Sequence, residues 1–277
     1  MYNFHSHTNF CDGSSDPETY IEEAIRQGFK IYGFSSHAPI PVPNDFALTE
    51  KSFPLYKQEI ERLRAKYKEQ LTILLGVEAD YITEISAPFD YFRKQFELDY
   101  VIGSVHMVKC RDNEVWFIDG PFRESYDAGL SSFFDNNARS AATAYYRQIN
   151  EMIERENFEV VGHLDKITMH NQNRFFTTDE NWYRNAILET IDLLKEKEIV
   201  VEVNTRGLYK NRSEDFFPEQ KYLKYILEKK ISIIINSDAH APKDISLLRD
   251  ATVKTLRQLG FKEQAIITSD GVELIEL

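Results

Sequence analysis

Short apolar segments recur along the chain, and each is followed by polar residues. Most of these segments are rich in β-branched or aromatic side chains and have the length of a β-strand. The pattern predicts seven strands, at residues 2–4, 31–34, 71–77, 100–105, 158–162, 199–203 and 231–235.

Helical patterns separate many of the predicted strands. The clearest has Asp16 as a good N-cap, Pro17 at the first helical position and Gly28 just past the helix end. Further helices are predicted at about 52–68, 139–156 and 179–198, after Pro218, and at about 245–259.

Strands that alternate with helices indicate a parallel sheet with right-handed crossovers. Seven such units without an obvious linker favour one barrel domain over residues 1–277, with an open doubly wound sheet as the alternative. The long polar and aromatic stretch at about 107–137 is predicted to be a loop insertion, and the tail at 266–277 to be a small terminal hairpin or cap.

Six of the seven histidines lie at, or just beyond, the end of a predicted strand. Glu78 occupies the same kind of position, and Asp238 lies two residues before a histidine. The carboxyl ends of parallel strands meet at one edge of a sheet or one mouth of a barrel, so these side chains should converge. The candidate ligands are His5, His7, Asp12, His37, Glu78, His106, His163, Asp238 and His240.

This set has the chemistry of a metal site. His5 and His7 are two apart on a strand, so they point the same way and can share an ion. Imidazole combined with carboxylate suits zinc, iron or manganese. Nine candidates are too many for one ion that takes about four protein ligands, and they predict two to three divalent ions. Phosphate ester hydrolysis is the reaction that such a cluster serves best.

The composition of the chain limits the classes of partner that the protein is expected to bind. Hydrophobic residues make up 42% of the 277-residue chain, enough for a sizeable core, and the net charge is −12. No basic face for nucleic acid is evident, and no apolar run approaches the roughly 18 residues of a membrane span. The N-terminus lacks the pattern of a secretory signal, so a cytoplasmic protein acting on a small molecule is expected.

Six motifs resemble, in order, those of the PHP (polymerase and histidinol phosphatase) superfamily: "HSHTNFCDG", "FSSHAP", "GVEADY", "GSVHMV", "GHLDK" and "NSDAH". The wording of residues 10–39 and the motif "VEVNTRGL" look most like the histidinol-phosphate phosphatase branch. The resemblance implies a distorted (β/α)7 barrel with a trinuclear metal centre at the C-terminal ends of the strands.

The resemblance also implies how the ligands divide among the ions. The first ion would take His5, His7, Glu78 and Asp238; the second Glu78, His106 and His163; the third Asp12, His37 and His240. Glu78 would bridge two ions. Many relatives carry histidine where Asp12 stands, which predicts weaker binding at the third position or a preference there for a harder ion.

The implied activity is hydrolysis of a phosphate monoester, with L-histidinol phosphate as the leading substrate and histidine biosynthesis as the role. A metal-bridging hydroxide would attack phosphorus, with Glu78 as the bridge and Asp238 or His240 assisting proton transfer. Alternatives are a PHP phosphoesterase acting on a nucleotide, a sugar phosphate or phosphotyrosine, and a non-catalytic PHP module. The oligomeric state is left open.

Basic residues near the strand ends are candidates for binding substrate. Arg206 follows the sixth strand, and an arginine fork matches phosphate geometry, although it could instead pair with a carboxylate at the surface. Lys166 and His170 lie close behind His163, in a loop where the resemblance implies basic residues that meet the phosphate. His170 would be either a substrate contact or a plain loop residue. Asp165 would either orient a ligand histidine or cap the following segment.

Overall fold

The computed structural model describes residues 1–111 and 114–277. Its strands are β1 (Tyr2–Asn3), β2 (Ile31–Phe34), β3 (Thr72–Asp80), β4 (Tyr100–Ser104), β5 (Met107–Lys109), β6 (Val115–Phe117), β7 (Val160–Val161), β8 (Val200–Asn204), β9 (Ile233–Asn236), β10 (Glu263–Thr268) and β11 (Gly271–Glu276). Its helices are α1 (Pro17–Arg26), α2 (Phe53–Tyr67), α3 (Phe89–Phe96), α4 (Arg123–Phe134), α5 (Ala138–Arg155), α6 (Thr168–Asn171), α7 (Asn181–Glu196), α8 (Arg206–Tyr209), α9 (Gln220–Glu228) and α10 (Arg249–Leu259).

Seven parallel strands form one sheet in the order β1-β2-β3-β4-β7-β8-β9. Just past the ends of β1 and β9 the sheet closes on itself, because His7 N donates to Ala239 O (2.8 Å) and Ala239 N donates to His5 O (3.0 Å). Nearer the strands, the side chains of Asn3 and Asn236 bridge the same seam by accepting backbone N–H groups. The predicted seven-stranded α/β barrel is therefore confirmed, and the open sheet is excluded.

The helix signals in the sequence act as expected. Asp16 caps α1 by accepting from Thr19 N (3.1 Å), and Gly28 adopts a φ of 77° two residues after the helix ends. The last predicted helix starts at Arg249 rather than at about 245, because Leu248 has a left-handed conformation (φ 63°) that an α-helix cannot include. The sequence patterns did not predict α3 or α4.

The stretch at 107–137 is not the loop that its polarity predicted, although its residues 112 and 113 lie outside the described part. It contains the β5–β6 hairpin and α4. Trp116 is buried between them, and its Nε1 donates to the Tyr126 carbonyl (3.1 Å). A Cβ on Gly129 would lie 2.1 Å from the Trp116 ring, so only glycine allows this approach. The prediction failed because the buried aromatic residues are spaced among charged residues that face solvent.

The N-terminal end of the barrel is closed by the tail, which forms the β10–β11 hairpin and confirms that prediction. Ala265, Ile266 and Ile267 pack beneath a second apolar cluster inside the barrel: Phe4, Leu74, Tyr100, Ile102, Val160, Val200 and Ile234. The opposite end of the barrel, at the carboxyl ends of the strands, carries buried polar and charged side chains instead. Within the described residues, no helix combines the length and the apolar character needed to cross a membrane.

Candidate metal centre

Glu78, near the end of β3, lies at the centre of the barrel mouth and is almost completely buried. Its two carboxylate oxygens face different sets of imidazoles. Around Oε2 lie His5 Nε2 at 3.1 Å, His7 Nε2 at 3.3 Å and His37 Nδ1 at 3.3 Å. Around Oε1 lie His163 Nε2 at 2.9 Å and His106 Nε2 at 3.4 Å. One carboxylate thus joins two groups of ligands.

Asp12 and Asp238 supply carboxylates on the other side of His7. Asp12 Oδ2 lies 3.0 Å from His240 Nε2, and Asp12 Oδ1 lies 3.6 Å from His7 Nδ1. Asp238 Oδ1 lies 3.4 Å from His7 Nε2 and 3.4 Å from His240 Nδ1. Asp238 has a φ of 50°, a left-handed conformation that aspartate tolerates better than most residues and that often marks functional sites.

The structure thus brings all nine candidate ligands together. Among the described residues, four groups have ligand atoms within 4.8 Å of one another: His7, Asp12, His37 and His240; His5, His7 and Asp238; His5, Glu78 and His163; and His37, Asp80 and His106. Within residues 1–111 and 114–277, three imidazole nitrogens that face Glu78 are buried without a hydrogen-bond partner: His5 Nε2, His7 Nε2 and His37 Nδ1. Buried polar atoms rarely go unpaired in folded proteins. This donor set therefore fits bound metal ions.

Two carboxylates that the sequence did not single out support the histidines from behind. Glu202 on β8 is fully buried, lies 2.6 Å from His5 Nδ1 and accepts from the His163 backbone N–H (2.9 Å). Asp80 lies 2.8 Å from His106 Nδ1. Such partners fix the ring orientation and tautomer of a metal-binding histidine. In the sequence each is only a carboxylate inside a predicted strand or at its end, in "VEVN" and "VEAD", and this pattern does not show which histidine it faces.

Burial favours the uncharged form of each titratable group at this centre, and the charges of its neighbours determine whether its pKa is finally raised or lowered. Burial would raise the pKa of Glu78, but the surrounding imidazoles hold it well below its ordinary value. Burial would lower the pKa of His5, but Glu202 and Glu78 raise it to about 10. Burial and a neighbouring imidazole lower the pKa of His37 to about 4. Glu78 is therefore ionised and His37 neutral, the forms that coordinate metals, whereas His5 must lose a proton to do so.

A cavity of about 260 Å³ opens above this centre. Phe46 and Phe117 stack on one wall with ring centroids 5.4 Å apart. Among the described residues that line the cavity, the charged ones are the carboxylates Asp12, Asp45, Glu78, Asp119 and Asp238 and the cations Lys166, Arg206 and Arg212. Carboxylates therefore outnumber lysine and arginine side chains in this lining.

The predicted substrate contacts do not all reach this cavity. Arg206 and Lys166 line it, and Lys166 Nζ lies 3.2 Å from Asp119 Oδ2. His170 is not among the lining residues, because its ring turns away and Nε2 lies 2.7 Å from the Gly120 carbonyl. Asp165 accepts from Glu219 N (2.9 Å) just before α9. Within the described residues the Asp165 side chain therefore neither contacts a ligand histidine nor caps the segment that follows it, so neither predicted role is seen.

Several cavity residues were not predicted from the sequence, among them Asp119, Arg212 and Phe46. Asp119 lies in the segment that was predicted to be a loop, and Arg212 and Phe46 lie in connections without a regular pattern. Nothing in local sequence distinguishes such residues from ordinary surface positions, because their role depends on how the loops fold over the mouth.

Comparison with known proteins places this arrangement in a family. A model of the PHP domain family matches residues 3–206. The histidinol-phosphatase of Bacillus subtilis is 27% identical over 262 residues, covering 89% of this chain and 96% of that protein.

Solved structures agree on the fold. A Listeria monocytogenes protein described as a candidate histidinol phosphatase superposes with a TM-score of 0.77 at 22% identity, covering 91% of this chain and 99% of its own. The histidinol phosphate phosphatase of Lactococcus lactis, solved with zinc, L-histidinol and phosphate, superposes with a TM-score of 0.67 at 22% identity and covers 98% of both chains. The chain therefore belongs to the PHP domain family.

Proposed function

We propose that this protein is a metal-dependent phosphomonoesterase that hydrolyses L-histidinol phosphate to L-histidinol and phosphate in histidine biosynthesis. The observation that carries the proposal is the shared carboxylate of Glu78, with three imidazoles at one oxygen and two at the other, on the floor of the cavity. The proposed substrate comes from relatives that are named histidinol-phosphatases, and the match to this chain covers nearly the whole length of each.

We propose two to three divalent ions of zinc, iron or manganese. His5, His7, Glu78 and Asp238 would hold one, Glu78, His106 and His163 a second, and Asp12, His37 and His240 a third. When bound, such ions supply an activated water nucleophile and positive charge for the phosphoryl oxygens. The excess of carboxylates over lysine and arginine in the cavity supports bound metal ions, because their positive charge would offset the carboxylates beside a phosphate.

The chain's own residues would bind and orient the substrate. Lys166 and Arg206 face the cavity and can donate to phosphoryl oxygens. Asp238 and His240 lie 3.4 Å apart beside Asp12 and are the candidates for moving a proton to the leaving alcohol. Glu202 and Asp80 would hold His5 and His106 in one ring orientation. His170 is a positioning residue, because it supports the Gly120 segment of the cavity wall.

We also propose a domain organisation, a cellular location and a class of partner for the enzyme. The seven strands share one sheet, which supports a single barrel domain over residues 1–277. A role in amino-acid biosynthesis supports a cytoplasmic location and a small-molecule substrate, with neither nucleic acid nor membrane as a partner.

The test is a comparison of kcat/KM for metal-loaded protein on L-histidinol phosphate, a nucleotide, a sugar phosphate and a phosphotyrosine peptide. We expect a preference for L-histidinol phosphate of at least about a hundredfold, because a site that pairs with polar groups rejects esters lacking them. An equal or faster rate with another ester would refute the substrate. Metal-loaded protein that releases phosphate from none of them would favour the non-catalytic module.

A further inference from the structure

Arg212 is held in a fixed loop between α8 and α9. Its backbone N–H donates to the Gly207 carbonyl (2.8 Å), as does that of Ser213 (3.0 Å). Its carbonyl accepts from Gln172 Nε2 (3.4 Å). A Cβ on Gly207 would lie 2.7 Å from the Phe217 ring, so the loop conformation depends on glycine there. The backbone of Arg212 is thus anchored while its side chain lines the cavity.

The three cations that line the cavity differ in their partners. Lys166 forms an ion pair with Asp119 at 3.2 Å. Arg206 uses Nη1 on the Asp238 carbonyl (2.8 Å) and lies 2.6 Å from His240 Nδ1. The guanidinium of Arg212 has neither a hydrogen bond nor an ion pair with any residue in the described ranges, 1–111 and 114–277.

An arginine without a carboxylate partner is unexpected in this setting. The chain carries 45 acidic against 33 basic residues, and five carboxylates line the same cavity. A guanidinium is always charged and presents a planar fork that matches phosphate oxygens. It would be repelled by the ammonium and imidazolium groups of an amino-alcohol substrate. The fork therefore fits the phosphoryl end of the ester rather than its organic end.

We propose that Arg212 binds the phosphoryl group of the substrate, as a third cation beside Lys166 and Arg206. This inference rests on the proposed function. Arg212 makes no hydrogen bond or ion pair with any candidate metal ligand, whereas Arg206 contacts the residues Asp238 and His240. Replacing Arg212 should weaken phosphate binding and leave the metal content unchanged. Replacing Arg206 should change both.

The experiment measures binding of inorganic phosphate to the metal-loaded protein by calorimetry, with metal content determined on the same samples. Hydrogen bonds to charged groups are strong, so Arg212→Gln should bind phosphate about tenfold or more weakly than wild type. Arg212→Lys, which keeps the charge but not the fork, should fall between the two. Arg184→Gln removes an exposed arginine on α7 and should bind like wild type.

Unchanged phosphate affinity in both Arg212 variants, with full metal content, would overturn the inference. So would a loss of metal in Arg212→Lys, because that result would make Arg212 a structural support of the centre. Phosphate binding does not depend on which ester is the substrate. Failure of wild type to hydrolyse L-histidinol phosphate would therefore count against the proposed function, while a weakened phosphate complex in Arg212→Gln would still support the inference.

Discussion

At the N-terminal end of the barrel, the β10–β11 hairpin packs Ala265, Ile266 and Ile267 beneath Phe4 and Ile234, in an apolar cluster. At the other end, the same strands lead into buried carboxylates and imidazoles, and several of these imidazole nitrogens have no hydrogen-bond partner in the described part of the chain. Burying charged and unpaired polar groups costs stability, whereas burying apolar surface supplies it. The closed end therefore offsets the cost of the open end, and a change at each end should affect a different property.

The largest effect on function is expected at Glu78. Glu78→Ala removes the carboxylate that both groups of imidazoles share, so bound metal and phosphatase activity should be lost together, with activity falling at least about a thousandfold. That exceeds the roughly 10–100-fold typical of outer-shell changes. Metal analysis and kcat/KM check it, with exposed Glu69→Ala as the control. Full activity in Glu78→Ala would remove the bridge from the mechanism.

The largest effect on stability is expected at the closed end. Ile234 on β9 is 1% exposed, within the apolar cluster of the barrel interior. Ile234→Ala should lower the free energy of unfolding by about 2–5 kcal/mol, and Ile234→Val by about 0.5–1.5 kcal/mol. Denaturant unfolding measures this change. Both variants should keep wild-type kcat below their unfolding transitions, and a large loss of kcat in Ile234→Val would show that the ends are not separable.

A smaller effect, on metal affinity, is expected for the two carboxylates that contact the candidate metal-binding histidines, Glu202 and Asp80. Glu202→Gln keeps the size of the side chain but weakens its contact with His5 Nδ1 (2.6 Å), so metal affinity should fall about 10–100-fold. Asp80→Asn should do the same through His106. Competition with a chelator measures the affinity. Wild-type metal affinity in both variants would mean that these carboxylates serve the fold rather than the metals.

The smallest effect, on stability, is expected at the surface cluster around Glu18 between helices α1 and α2. Hydrogen bonds from Lys66, Arg62 and Tyr67 lower the pKa of Glu18 to about 2, against an ordinary value of 4.5. A lowered folded-state pKa stabilises the protein above pH 4.5, and that gain disappears as the pH falls towards 2. Glu18→Gln should cost at most about 1 kcal/mol at neutral pH, because the cluster lies at the surface. Unfolding of both proteins between pH 7 and 2 tests this, and a difference that grew on acidification would contradict it.

The sequence predicted the open and closed ends unequally. The seven strands could be found because each is a short apolar run, and six of the seven histidines because each of those six follows such a run. Glu202 and Asp80 could not be assigned, because a carboxylate inside a strand shows nothing of the histidine that it faces across the barrel. Trp116 and Arg212 were missed because their positions depend on loop and helix packing over the mouth, which no local period encodes.

His170 illustrates the same limit in reverse. Its closeness to His163 along the chain suggested a substrate contact, but α6 turns its ring to the Gly120 carbonyl instead. Lys166, four residues earlier, points into the cavity. Whether a residue of this short segment reaches the cavity depends on the direction of its side chain, and the distance along the sequence from His163 does not show that direction.

On the proposed function, the ligands around Glu78 form a multinuclear metal centre that hydrolyses a phosphate ester. The most direct measurement removes all metal with a chelator, then adds zinc, iron or manganese in steps while phosphate release from L-histidinol phosphate is followed. We expect no activity without metal and full activity only after two to three equivalents per chain. Activity in the metal-free protein, or saturation at one equivalent, would contradict the account.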